Sequence, residues 1–345
     1  MDTTTQIKTV QGFTLTEIMV ALVISSLLMA GVLTIMSSSK RTYALQSELS
    51  ELQENARFVM DELAYKIRLA GYQGCRSDLN NLDFILGPPF QSTLNGSLVN
   101  DRPLVDEGGN PVSGFENTDA LVVGSLSEWL VVDNSTLFSP LNPPIITLQY
   151  RSIVPEINTS IVVSDCSNDP PAVGVVSARD LDIPNITITP GFTTQFVQPK
   201  VFMVTGPVSY EIKKITENDR FALFRCENRD NDTDFCGGDT DDSEQRLIEG
   251  VENMQVRYGI DIAPGDGIPN RYSTTPTLGP TDNKVVSVRI TLLMRTNNKR
   301  GDLEGATDRD FRLDPSLTYN PQQDNAALEN GYRHRMFTTT IEVRN

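Results

Sequence analysis

The sequence is poor in the residues that catalytic and metal sites require. It has one histidine, His334, and its four cysteines form no C-x-x-C pair, which argues against a zinc site. The chain also lacks the G-x-S-x-G, P-loop, G-x-G-x-x-G and H-E-x-x-H motifs. We therefore predict that the protein is not an enzyme and has neither catalytic residues nor a cofactor. His334 precedes a strand pattern, so we expect it at the surface or at a sheet edge.

Positive charge is also scarce, and one long stretch has no charge at all. Lysine and arginine total 29 against 45 acidic residues, a formal net charge of −16, which argues against nucleic acid and anionic lipid surfaces as partners. Residues 18–39, IMVALVISSLLMAGVLTIMSSS, are uncharged, and as a helix they would reach about 30 Å, enough to cross a bilayer. Glu17 stands at the head of this stretch. An acid there costs several kcal/mol unless it is paired or solvated, so we treat Glu17 as a candidate functional residue.

The apolar stretch lacks the features of an ordinary secretory signal. Its leader is nearly neutral, the small residue Gly12 precedes the apolar core, and no A-x-A-like cleavage site follows it. A plain signal anchor is the alternative, but it explains neither Gly12 nor Glu17. Lys40 and Arg41 weakly favour a cytoplasmic C-terminal side, whereas the cysteines and the large acidic domain favour the opposite orientation, which we adopt.

The four cysteines all follow the apolar stretch. An even number on one side of a membrane span predicts two disulfides in an oxidising compartment, and four reduced buried cysteines are the alternative. Of the three possible connectivities we favour Cys75 with Cys166 and Cys226 with Cys236.

Apolar periodicity predicts one long helix followed by strands. From residue 45 to residue 67 apolar residues recur every three or four positions, which extends the apolar stretch into one helix of about 60 residues that packs on the protein's own sheet. From residue 71 to about residue 200 the sequence is predicted to be rich in loops, with short strand-like segments. Beyond that, four segments alternate with period two, which predicts antiparallel strands buried on one face only: PVSYEIKKI, MQVRYGI, VVSVRITLLMR and MFTTTIEVR.

The stretch GFTLTEIMVALVISSLLMAG resembles the class III signal of type IV pilins and type II secretion pseudopilins. The resemblance implies that prepilin peptidase cuts after Gly12, that Phe13 becomes the N-methylated first residue, and that Glu17 is the acid at the fifth mature position. It also assigns Glu17 a role in subunit assembly. Thr34 departs from the pattern, because many major pilins have a helix-kinking proline there.

Four further segments, RLAGYQGC, GVENMQVRYGID, VVSVRITLLMRT and RHRMFTTTIEVRN, resemble PilW-type minor pilins, which are relatives of the J-type pseudopilins. The implied fold is α+β and pilin-like, with a long N-terminal helix packed on an antiparallel sheet in an enlarged C-terminal domain. The implied divisions are a leader (residues 1–12), a transmembrane half-helix (13–39), an amphipathic half-helix (40–70) and a β-rich domain (71–345).

One acidic loop is a weak calcium candidate. Asp230, Asp232 and Asp234 alternate as at the start of an EF-hand, but Phe235 replaces the required glycine and the twelfth residue is not glutamate. We favour a solvated acidic loop closed by a disulfide, with a calcium site as the alternative. The segment DIAPGDGIPN, with Asp261 and Asp266, is predicted mainly as a turn.

The expected function is that of a minor pilin made in the inner membrane, with its C-terminal domain in the periplasm, which then enters a pilus or its priming complex. The alternatives are a J-type pseudopilin of a type II secretion system and a tip-located adhesive or calcium-binding module. The implied partners are other minor pilins, the major pilin, prepilin peptidase, the inner-membrane assembly machinery and a tip adhesin.

Overall fold

The computed structural model describes the long helix and most of the strands. The described residues are 14–70, 90, 93–94, 97–112, 117–124, 126–130, 145–149, 154–164, 172–182, 184–189, 200–204, 207–215, 220–227, 243–262, 265–278, 282–297, 311–314, 317–319 and 332–343. By internal contacts the chain divides into two units, Met1–Gln53 and Glu54–Asn345.

One helix, α1 (Leu15–Leu69), and nineteen strands make up the described elements. The strands are β1 (Thr93–Leu94), β2 (Ser97–Leu98), β3 (Val105–Asp106), β4 (Leu121–Val123), β5 (Leu126–Leu130), β6 (Ile145–Thr147), β7 (Ser160–Ser164), β8 (Ala172–Asp180), β9 (Asn185–Thr189), β10 (Lys200–Val204), β11 (Val208–Ile215), β12 (Arg220–Glu227), β13 (Ser243–Glu249), β14 (Val251–Ile262), β15 (Arg271–Ser273), β16 (Asp282–Arg295), β17 (Phe311–Asp314), β18 (Leu317–Tyr319) and β19 (His334–Glu342).

The helix follows its apolar periodicity. Its first part contains a window of mean hydropathy 2.6 that is long and apolar enough to cross a membrane. In its last four turns one face is buried, with Val59, Leu63 and Ile67 fully inaccessible to solvent. This is the face that the spacing predicted, because residues three and four apart share one side of a helix.

The last turns of α1 meet a five-stranded sheet. Its strands run in the order β13-β12-β11-β3, with β4 also paired to β11, and every pairing is antiparallel except β11 with β3. The Tyr210 hydroxyl on β11 donates a hydrogen bond of 3.0 Å to Glu62 Oε1, and Arg225 Nη1 lies 3.6 Å from the same oxygen. Burial raises the pKa of Tyr210, so its hydroxyl stays a donor to that carboxylate.

A four-stranded antiparallel sheet, in the order β15-β14-β16-β19, follows directly in the chain. Gly250 connects it to the five-stranded sheet. This residue has φ 86°, and a Cβ there would lie 2.7 Å from the Arg295 carbonyl oxygen, so only glycine fits. Its N–H donates to the Phe221 carbonyl (2.7 Å), and its own carbonyl accepts from Arg295 N–H (2.8 Å), which ties the two sheets together.

A six-stranded antiparallel sheet, in the order β5-β10-β7-β8-β9-β6, is built from the region predicted to be loop-rich. Its buried cluster comes entirely from its own strands and from Leu148, which follows β6. Within the described residues, no member of α1 or of the other sheets belongs to that cluster. The members of the cluster are Leu130, Ile146, Leu148, Ile161, Val163, Val176, Ile186, Ile188 and Val201.

The predicted α+β fold, with a long N-terminal helix and antiparallel sheet, is confirmed, with the strands distributed over several sheets. The prediction that strands are buried on one face holds for β19, where Ile341 is buried and the residues beside it are exposed. It is wrong for β14, whose polar Asn253 and Gln255 are also buried. The cause is a segment from more than a hundred residues earlier, since both side chains approach the Asn117 carbonyl oxygen (3.1 and 3.5 Å).

Candidate functional site

Glu17 is held by a hydrogen-bonded cap at the start of α1. The helix begins at Leu15, so Thr14 is the N-cap residue and Glu17 is the third residue of the helix. Thr14 N–H and Thr14 Oγ1 both donate to Glu17 Oε2 at 3.0 Å, and Glu17 N–H donates back to Thr14 Oγ1 at 3.4 Å. This is a capping box, which satisfies backbone donors that a helix N-terminus leaves open.

This cap was not predicted from the sequence. The pattern T-x-x-E, residues 14–17, is its ordinary signature and could have revealed it. The positive end of the helix dipole also favours a carboxylate at this position. Both described contacts use Oε2, and Oε1 accepts no hydrogen bond within the described part of the chain, so that oxygen can still face a cation from outside.

Two hydroxyl groups in the apolar part of α1 are satisfied by the helix backbone. Ser26 Oγ donates to the Val23 carbonyl (2.8 Å), and Thr34 Oγ1 donates to the Ala30 carbonyl (2.9 Å). The helix continues without a break through Thr34, where many major pilins have proline. Such internal satisfaction is what a hydrocarbon environment demands of a spanning segment.

Several predicted site residues lie outside the described residues. These are the processing pair Gly12 and Phe13, three of the cysteines (Cys75, Cys166 and Cys236), and the acidic trio Asp230, Asp232 and Asp234. The fourth cysteine, Cys226 on β12, is disulfide-bonded, and its pairing with Cys236 stays a prediction.

In the DIAPGDGIPN segment both aspartates accept hydrogen bonds from backbone N–H groups of the same segment. Asp261, which is fully buried, accepts a hydrogen bond from Gly267 N–H (3.1 Å), and Asp266 accepts one from Ile268 N–H (2.9 Å). Within the described ranges, no group of three acidic, histidine or cysteine side chains is placed to hold a metal ion.

His334 lies at a sheet edge, as predicted, but its side chain is not at the surface. The ring is fully buried, with Nε2 2.9 Å from Glu252 Oε2, and Glu252 Oε1 lies 3.0 Å from Arg295 Nη1. Of the two predicted alternatives the sheet edge is therefore confirmed and the surface is not, because the ring is buried beside Glu252 of β14. The sequence carries no local signal of these long-range contacts.

Asp119 pairs with the part of the β14 edge that the short strand β15 does not cover. Its carboxylate accepts hydrogen bonds from the backbone N–H groups of Asp101 and Val256, both at 2.8 Å, and lies 3.3 Å from Arg257 Nη1. Its own N–H donates to the Met254 carbonyl (2.8 Å). Burial raises the pKa of the Asp119 carboxyl, and the two N–H donors and Arg257 oppose that rise.

We expect Asp119→Ala to lower the free energy of unfolding by about 3 kcal/mol, because it removes the acceptor of the buried Val256 N–H and of the Asp101 N–H, together with the carboxylate beside Arg257. Urea denaturation of the full chain in detergent, followed by circular dichroism, measures the change. The matched control is Asp266→Ala, which removes an exposed carboxylate with one backbone hydrogen bond and should cost less than about 1 kcal/mol. Equal losses in the two variants would contradict this account.

Two family models match separate parts of the chain. Residues 7–33 match the model described as "Prokaryotic N-terminal methylation motif", so the head of α1 is a prepilin-type signal. Residues 209–345, from β11 to the C-terminus, match "Type IV Pilus-assembly protein W". The chain thus matches a PilW-family type IV minor pilin with a class III signal, and the predicted resemblance is confirmed.

The PilW family is a structural component of the pilus, which implies contact with other pilus components and processing of the signal. The signal and the apolar helix also support membrane anchoring. No curated protein and no solved structure matches this chain.

Proposed function

We propose that this chain is a minor pilin that helps to prime assembly of a type IV pilus and lies in or near the tip complex. The observation that carries the proposal is the position of Glu17, capped by Thr14 at the head of an uncharged helix within a matched prepilin motif. The function is assembly through non-covalent packing, without catalysis.

The proposed mechanism places a new positive charge beside Glu17. Cleavage after Gly12 creates an amine on Phe13, four residues and so about 6 Å along the helix axis from Glu17. In a bundle of helices, the amine of a neighbouring subunit can reach Glu17 Oε1 while Thr14 holds Oε2. Desolvation offsets much of the attraction, so its main effect is to set the register of one helix against the next.

The proposed setting is the bacterial inner membrane, with one span and the C-terminal domain in the periplasm, followed by the pilus. The disulfide at Cys226 supports an oxidising compartment. The proposed partners are other minor pilins, the major pilin, prepilin peptidase, the inner-membrane assembly machinery and a tip adhesin.

Two other candidate functions have support of their own. A J-type pseudopilin of a type II secretion system would use the same signal and helix. A tip-located binding module is favoured by the six-stranded sheet, which has its own buried cluster and lies outside the residues matched by both family models.

Deletion of the gene, followed by complementation, tests the proposal. We expect surface pili to be lost and type II secretion to be unchanged, as counted by electron microscopy and by assay of secreted enzymes. Complementation with the full chain should restore pili. Loss of secretion with normal piliation would instead establish the pseudopilin function, and normal pili that no longer attach would establish the binding module.

We expect the protein from the periplasmic side of the membrane to contain two disulfides, one of them joining Cys226 and Cys236. Their short separation makes closure easy where the geometry permits. Mass mapping of non-reduced peptides identifies the linked pair, with a reduced sample as the control. Four thiols that alkylate without reduction would contradict both the disulfides and the oxidising compartment.

We expect the acidic loop with Asp230, Asp232 and Asp234 to bind calcium no more tightly than about millimolar, the range of weak extracellular modules. Isothermal titration of the full chain in detergent measures the affinity, with Asp232→Ala as the paired variant. A micromolar site that Asp232→Ala removes would contradict the interpretation as a solvated loop.

A further inference from the structure

The strand β19 is an unusually open sheet edge. It bounds the four-stranded sheet over nine residues, and between Arg335 and Glu342 it runs MFTTTI, without charge, proline or glycine. The other edge strands of the described sheets with three or more strands are shorter, and β13, the longest of them, carries charged residues. Proteins normally protect long uncharged edges, because such edges pair readily with other chains.

The hydrogen-bond pattern shows which backbone groups face outward. Val343 N–H donates to the Val286 carbonyl (2.9 Å), and Thr296 N–H donates to the Arg333 carbonyl (3.0 Å). In an antiparallel ladder the hydrogen-bonded pairs alternate, so odd-numbered residues of β19 bond to β16 and even-numbered residues point their N–H and C=O groups away. Within the described part of the chain, these outward groups have no partner at Met336, Thr338, Thr340 and Glu342.

The strand is nevertheless held firmly on its inner side. Ile341 and Val343 are buried, Phe337 and Thr339 are half-buried, and the Thr338 hydroxyl lies 3.2 Å from that of Thr291 on β16. The edge is therefore a fixed row of donors and acceptors about 7 Å apart, the repeat of two strand residues. The edge therefore already has the backbone conformation that pairing with a partner strand requires.

The charges around this edge indicate the kind of strand that it fits. Arg289 is exposed beside Thr340, held by a hydrogen bond to the Thr340 hydroxyl (3.2 Å) and by stacking 4.2 Å from the centre of the Tyr272 ring. Arg335 is exposed on the other face of the sheet, near the start of β19. A short acidic segment added beside β19 would meet an arginine on either face, whereas a second copy of this chain would bring a net charge of −16 to a chain of the same charge.

We propose that the outer edge of β19, residues 336–342, receives an extended acidic segment of another protein chain as an additional strand. Main-chain hydrogen bonds would supply the affinity, as in other cases of strand addition, and the two arginines would determine which partner binds. The proposal concerns the globular domain and does not depend on the role of Glu17.

Hydrogen exchange of the full chain in detergent tests the proposal, with a synthetic peptide of alternating threonine and glutamate, matched in length to β19, as the probe. Saturating peptide should slow exchange at Met336, Thr338, Thr340 and Glu342 by at least tenfold, while Phe337 and Thr339, already bonded to β16, stay unchanged. The control peptide has the same sequence with every backbone amide methylated, so that neither of its edges can donate to β19, and it should protect nothing. Protection that does not alternate, or none, would overturn the proposal.

Two variants separate main-chain pairing from charge. Thr338→Pro removes one outward N–H but none of the hydrogen bonds to β16, and it should weaken peptide binding at least tenfold. Thr338→Ala loses only the side chain and should bind the peptide as the parent chain does. The double variant Arg289→Glu with Arg335→Glu keeps every backbone donor and should bind a threonine–lysine peptide better than the threonine–glutamate peptide. Equal binding by Thr338→Pro and Thr338→Ala, or an unchanged peptide preference in the double variant, would overturn the proposal. The proposal would also be overturned if the same alternate residues were protected from exchange without peptide and the protection grew with protein concentration. That result would identify a second copy of this chain as the occupant of the edge.

Discussion

Glu17→Val is expected to be cleaved and to stay in the membrane, yet to lose its fellow minor pilins on co-purification by at least tenfold. The proposed cleavage depends on Gly12 and its neighbours, and valine lengthens the uncharged stretch, so we expect processing and insertion both to survive. What disappears is the carboxylate whose free oxygen can meet the amine of an adjacent subunit. Affinity purification of the membrane-extracted protein, with each minor pilin quantified by immunoblot, measures the loss.

The matched control is Thr14→Val, because the cap offers a second explanation for the same phenotype. This variant removes the hydroxyl that donates to Glu17 Oε2 but keeps the acid. Loss of a capping side chain costs about 1 kcal/mol of helix stability, a local effect. Thr14→Val should therefore assemble nearly as well as the parent chain. If both variants lost assembly equally, Glu17 would act through the cap alone. Normal assembly of Glu17→Val would contradict the proposal that the Glu17 charge sets the register of one helix against the next.

Gly12→Val is expected to leave the full-length precursor uncut, because the peptidase must accommodate this residue beside the scissile bond. Without cleavage no amine forms on Phe13, so the variant should also fail to support piliation. Gel mobility and N-terminal mass analysis of the membrane fraction distinguish the precursor from the mature chain. Gln11→Val introduces the same side chain one residue away and should still be cut. A mature N-terminus at Phe13 in Gly12→Val would contradict the class III processing.

The parts of the structure that could be predicted from sequence are those governed by local periodicity. Val59, Leu63 and Ile67 recur at helical spacing, and Ile341 alternates with exposed neighbours, so both faces follow from the residues themselves. The capping of Glu17 was also within reach, since Thr14 lies three residues before it. In each case the interacting groups are close in the chain.

The features that sequence did not predict depend on distant partners. Asn253 was expected on a solvated face, and it is buried because Asn117 crosses that face. His334 was expected at the surface or at a sheet edge; it lies on the edge strand, but its ring is buried beside Glu252, which also pairs with Arg295. The six-stranded sheet was missed because strands such as β8, AVGVVSARD, break the alternation with glycine and charge, and its pairing order joins segments far apart.

The separate buried cluster of the six-stranded sheet has an evolutionary consequence. Among the described residues, its cluster holds no residue of α1 or of the other sheets, so a substitution such as Ile186→Val repacks neighbours within that sheet. Distant and independent sites contribute additively to stability, so substitutions in this cluster can accumulate without changing the stability that α1 contributes. Selection can therefore reshape the surface of this sheet for new surroundings while the prepilin motif at residues 7–33 stays under constraints of its own.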